Sequence, residues 1–220
     1  MFLGHIAVGF ASKRVAPGTS LGWLMTAPVL LDLLWPLFLF AGIEQVKIAP
    51  GNTAFTPLEF TRYPWSRSLL MSAVWGAAFA LAYRAFARDT RGAWVLFAGV
   101  VSHWVLDWIS HRPDLPLVPW GGPKLGLGLW NHRSATIAVE SAMFAVGLGL
   151  YLATTRARSW TGQLSLWLYV VITVLAYFAD ADSPPPPSVE ALRTFALVGW
   201  LFVPWAIWIE RTRTLRGAPA

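Results

Sequence analysis

The chain contains no cysteine. Disulfides, thiolate metal sites and cysteine nucleophiles are therefore excluded. Charge is scarce as well: Asp, Glu, Lys and Arg make up 13% of the 220 residues, against about 25% in an ordinary soluble domain. So little charge does not cover a water-facing surface, which excludes a soluble globular enzyme and a disordered chain. Acidic residues are the scarcer sign, 11 against 17 basic, for a net charge of +6. No basic run exceeds two residues and none is interleaved with aromatics, so the excess does not form a nucleic-acid groove. Also missing are a Gly-x-Ser-x-Gly elbow and the Gly-Lys-Ser/Thr of a phosphate loop. The stretch 121–128, which is glycine-rich, reads as a loop against the membrane interface.

What is present is apolar: 56% of residues are hydrophobic and mean hydropathy is +0.52. A membrane helix needs about 20 apolar residues. Six segments reach that length, roughly 21–42, 68–87, 92–110, 134–155, 163–180 and 189–209. A seventh, at the N-terminus, is too short to span. Its charges, Lys13 and Arg14, follow the apolar run, the reverse of a secretory signal. It reads as a half-membrane helix. Pro28, Pro36 and Pro204 are compatible with membrane helices. Ser68, Ser134 and Ser188 stand as helix caps, and Ser183 followed by four prolines separates the last two segments. The expected architecture is an all-α polytopic membrane helix bundle, a single integral domain over 1–220.

Ten basic residues sit in short clusters: Lys13, Arg14, Arg84, Arg88, Arg91, Arg156, Arg158, Arg211, Arg213 and Arg216. Seven others are spread over the longer opposite loops. The positive-inside rule then places the C-terminus in the cytoplasm and loops 43–66 and 111–133 outside. Among the 14 tryptophans, Trp23, Trp65, Trp120, Trp130 and Trp160 stand at expected boundaries, as an interfacial belt. Trp35, Trp75, Trp104, Trp167 and Trp200 stand deeper and read as helix packing.

Ionisable residues inside a bilayer cost about 2.5–3.5 kcal/mol each on insertion scales and persist where they meet a partner, a cavity or a metal. Here they are His5, Asp32, His103, Asp107 and Glu140. At 1.5 Å per residue, Asp32 and His103 both lie about 16 Å from the cytoplasmic edge and His5 about 12 Å. Asp107 lies one turn further out, near the layer of Glu140. Spacing of four puts His103, Asp107 and His111 on one helix face, with His103 and Asp107 the deeper pair. That pair offers a nitrogen and a carboxylate to one ion, chemistry suited to zinc or manganese. A plain His–Asp hydrogen bond is the alternative. His111 and His132 read as interfacial histidines.

His5, Asp32, the Ser66-Arg67-Ser68-Leu-Leu helix start and Ser102-His103-x-x-x-Asp107 together resemble the membrane-bound metal-dependent hydrolases of bacteria. The stretch 100–152 is especially similar, and the resemblance covers about 1–155. Residues 156–220 add two helices without a recognised motif. The resemblance implies an inner-membrane enzyme, grouped with zinc phospholipase C, that hydrolyses a phosphoester. His5, Asp32, His103 and Asp107 would hold a divalent metal, zinc before manganese, with Asp32 or Asp107 as ligand or base. The substrate would be a lipid phosphoester. One position departs: the family tends to carry histidine where Arg67 stands. Guanidinium does not ligate a metal, but it binds phosphate bidentately. The alternative is a non-catalytic accessory subunit of a larger membrane complex, with His103 and His5 available to a haem or chlorin.

Overall fold

A computed structural model describes residues 1–217. The protein is mostly helical, and six helical stretches are long and apolar enough to cross a membrane. A short helix α1 (Phe2–Val15) precedes α2 (Leu21–Phe40). Then come α3 (Pro64–Arg67), α4 (Leu69–Ala87), α5 (Thr90–Ser110), α6 (Arg133–Thr154) and α7 (Trp160–Asp182). The last span runs over Val189–Thr212. It is not one continuous α-helix: α8 (Val189–Ala196) and α9 (Phe202–Thr212) are joined by a 3-10 stretch ahead of Pro204.

The all-α expectation needs one correction. Three two-stranded antiparallel ribbons close the ends of the bundle. They are β1 (Gln45–Ile48) with β2 (Leu58–Arg62), β3 (Leu115–Val118) with β4 (Gly121–Leu125), and β5 (Thr155–Ala157) with β6 (Arg213–Leu215). The stretch 121–128 accordingly starts as a strand. Gly121 and Gly122 carry φ of +119° and +108°, which residues with a Cβ rarely adopt. Residues 218–220 lie outside the described ones, and with them the end of the chain to which the cytoplasmic expectation refers.

Local chemistry explains the helix starts. Ser68 and Ser188 accept from the backbone N–H of Met71 and Ala191, as expected of caps. Ser134 does not cap: α6 begins one residue earlier, behind His132. Asp89 caps α5 by accepting from Gly92 N at 3.0 Å. Ser66 is not a cap of α4; its hydroxyl donates to Glu44.

Packing sets where the site forms. α1 lies against α6, and Gly147 lets the two backbones close: a Cβ there would sit 2.8 Å from Ala7 Cα. Phe10, Phe144, Tyr151, Leu166 and Tyr169 form the core of that half. Leu24, Leu31, Leu96 and Val100 bind α2 to α5 in the other. Trp35 and Trp104 are buried, as deep packing requires, but Trp167 and Trp200 face outward.

Candidate metal centre

The site forms where α1, α2, α3 and α5 meet beneath the first two ribbons. His103 and Asp107 come from the last two turns of α5, His5 from the first turns of α1, Asp32 from α2, and Arg67 from the end of α3. His5, His103 and Asp107 are almost wholly buried, and their ligand atoms all lie within 4.8 Å of one another. This group can hold a metal ion. The His5 and His103 rings stack nearly parallel, 3.9 Å apart. His5 Nε2 lies 3.1 Å from Asp107 Oδ1, and His103 Nε2 lies 3.1 Å from Asp107 Oδ2. Asp32 Oδ1 is 3.8 Å from His103 Nε2. Four of the five residues that the sequence singles out for depth, His5, Asp32, His103 and Asp107, therefore converge. His103 is seven residues from the end of α5, so the layer lies about 10 Å below that end, on the β1–β2 and β3–β4 side of the helix midpoint.

Tautomers follow from the partners. His103 Nδ1 is 2.8 Å from the carbonyl oxygen of Pro28. A carbonyl only accepts, so Nδ1 carries the proton and neutral His103 presents a lone pair at Nε2. Such a backbone partner fixes the ring orientation that a metal ligand needs. His5 Nδ1 is buried without a hydrogen-bond partner.

Arg67 enters this cluster of lone pairs as a cation. Its Nη1 donates to Asp107 Oδ2 at 2.7 Å and contacts His103 Nε2; its Nη2 donates to Asp32 Oδ1 at 2.5 Å. The atoms that would bind a metal through His103 and Asp107 Oδ2 are the ones that accept from Arg67 Nη1. Metal and guanidinium compete for them, while His5 and Asp107 Oδ1 lie outside the contest. The donor set fits a divalent ion once Nη1 withdraws from Asp107 Oδ2 and the Met1 amino group from Asp107 Oδ1.

The position of Arg67 is built by a residue that the sequence reading passes over. Glu44 accepts from Trp65 N and Ser66 N, each at 2.8 Å, and from the Ser66 hydroxyl at 2.7 Å. Its carboxylate thus caps α3 from another loop, and burial raises its pKa. The signal was local: an acidic residue in a nonpolar loop, ahead of a Pro-Trp-Ser-Arg helix start with no cap of its own.

Glu140 joins the site through backbone. Its Oε2 accepts from Leu3 N at 2.8 Å and Gly4 N at 3.4 Å, so α6 caps α1 in the turn that carries His5. The Met1 amino nitrogen donates to Asp107 Oδ1 at 2.7 Å. His111 ends α5 and is buried within the protein. It is 1% exposed and stacks against Trp130, with ring centroids 4.3 Å apart. Its Nδ1 is 3.0 Å from Asp114 Oδ1, which also accepts from the Tyr63 hydroxyl at 2.6 Å. Its Nε2 then faces Asp107 Oδ2 at 3.7 Å. The spacing of His111 and Asp114, three residues across a proline, was the available signal. His132 is exposed, as read from the sequence.

Asp32 alone opens outward: its side chain is 39% exposed, against 5% for Arg67. Comparison with known proteins finds no matching family, no matching curated protein and no matching solved structure.

Proposed function

We propose that this multi-pass membrane protein binds one divalent metal ion at His5, His103 and Asp107 and hydrolyses a phosphoester, the substrate being a membrane lipid. The observation that carries the reading is the buried convergence of those three ligands from two helices. It also rests on the resemblance of 1–155 to bacterial membrane-bound metal-dependent hydrolases. Zinc suits two imidazoles and a carboxylate best, with manganese next. When bound, the ion supplies a Lewis acid and a hydroxide at neutral pH.

The chain's own residues have separate tasks. His103 is held in its ligating tautomer by Pro28 O. Asp107 holds His5 on one oxygen and faces His103 and Arg67 on the other. Arg67 is the phosphate-binding group: its planar fork matches two phosphoryl oxygens as it now matches two carboxylates. Asp32, the exposed member, lies on the side from which a lipid headgroup enters. In this reading the enzyme belongs to the bacterial inner membrane with the basic end of the bundle in the cytoplasm.

A second reading has its own observation. Arg67 already bridges both carboxylates and the Met1 amino group pairs with Asp107, two cations for two anions, which leaves the site balanced without an ion. A non-catalytic subunit of a larger membrane complex would keep such a site for structure. Phosphodiesterase activity of the purified chain separates the two. The hydrolase reading expects activity in the parent, abolished by chelator and by Asp107→Asn. Inactive, metal-free parent that co-purifies with a fixed partner overturns it in favour of the subunit.

A further inference from the structure

The far end of the bundle from the metal centre carries a second candidate site, and it owes nothing to the hydrolase reading. Where α4 turns into α5, Leu81, Arg84, Ala85 and Arg88 line an open cavity of about 460 Å³. Leu81, Arg84 and Ala85 share one face of the last two turns of α4, and Arg88 is the residue that ends the helix. Arg84 Nε donates to Thr90 Oγ1 at 3.3 Å, and the residue lines the cavity. Arg88 has φ +54°, the one positive value outside glycine among the described residues. Its N–H closes on Arg84 O at 2.9 Å, fixing the two arginines one turn apart.

No carboxylate of the turn neutralises them. Asp89 is the only acidic residue between 84 and 92. It accepts from Gly92 N, Thr19 Oγ1 and Tyr83 OH, all on the inner side. The level is that of lipid headgroups. Arg84 lies in the last turn of a membrane-spanning helix, and Leu81 below it is 64% exposed. Trp94, one turn into α5, is 67% exposed, as an interfacial anchor would be.

We infer that this cavity binds the phosphate of an anionic phospholipid, with Arg84 and Arg88 as its two donors and the acyl chains lying along Leu81. Two guanidiniums one turn apart match a phosphodiester. The unbalanced positive charge favours an anionic headgroup over a zwitterionic one.

Native mass spectrometry of the full-length protein with phosphatidylglycerol or phosphatidylcholine tests this. The parent is expected to retain phosphatidylglycerol at activation energies that strip phosphatidylcholine. The double variant Arg84→Gln, Arg88→Gln is expected to lose that retention about tenfold or more, as removal of two headgroup-level arginines implies. Arg14→Gln with Arg211→Gln removes the same charge from the same end and is expected to change nothing. Equal loss in that control means diffuse attraction and overturns the site. So does unchanged retention in the first variant, or a parent that does not distinguish the two lipids. The last comparison uses unaltered protein and holds whether or not a variant folds.

Discussion

Arg67 donates to Asp32 and Asp107 from a single buried guanidinium, and each carboxylate is reached by a different terminal nitrogen. Lysine has one nitrogen and no fork, so it does not span both. Arg67→Lys therefore leaves one carboxylate short of its partner. Breaking such a pair is expected to cost about 3 kcal/mol, read as a lower thermal midpoint in detergent. A midpoint equal to the parent's would mean that the arginine does not hold the site together. The same residue marks the limit of sequence reasoning. Depth arithmetic found His5, Asp32, His103 and Asp107, because intramembrane charge is rare and its spacing is periodic. It did not find where the guanidinium points, because Arg67 lies outside the long helices and is aimed by Glu44, 23 positions away in the chain.

At the scale of elements, the site depends on how closely α1 approaches α6. Gly147 sits over Ala7, and a Cβ there would stand 2.8 Å from Cα and 2.9 Å from the carbonyl carbon of Ala7. Gly147→Ala must push α1 outward, at a cost of about 1–3 kcal/mol, and it carries His5 away from Asp107. Gly149 faces open space. Gly149→Ala is expected to leave the thermal midpoint unchanged or slightly raised, since alanine is the better helix former. Equal loss in both variants would show that helix α6 tolerates no alanine there for reasons unrelated to α1. The long helices were legible because hydropathy and length suffice for membrane spans. The ribbons were not: Gln45–Ile48 and Leu58–Arg62 are too short and too mixed to alternate clearly. The join between α8 and α9 was legible only as a proline. The burial of His111 was not legible because two of its partners, Tyr63 and Trp130, come from other stretches of chain, while Asp107 stands four residues before it on α5.

The whole molecule has a basic end, which carries the β5–β6 ribbon, and an opposite end covered by the β1–β2 and β3–β4 ribbons, and the candidate metal centre lies toward the latter pair. By the positive-inside rule the β1–β2 and β3–β4 ribbons are expected outside. The chain's lack of cysteine makes this simple to check, because every introduced thiol is unique. Lys124→Cys on β4 is expected to react with an impermeant maleimide on intact cells, and Arg211→Cys only after permeabilisation. The reverse pattern would invert the topology and place the centre toward the cytoplasm. The centre itself is tested most directly by the metal content of the purified chain, measured by mass spectrometry after dialysis against zinc. One ion per chain is expected in the parent, none in His103→Ala, and fuller occupancy in Arg67→His, where the competing guanidinium is replaced by a further imidazole. Parent and Arg67→His that carry no more metal than His103→Ala would contradict the account.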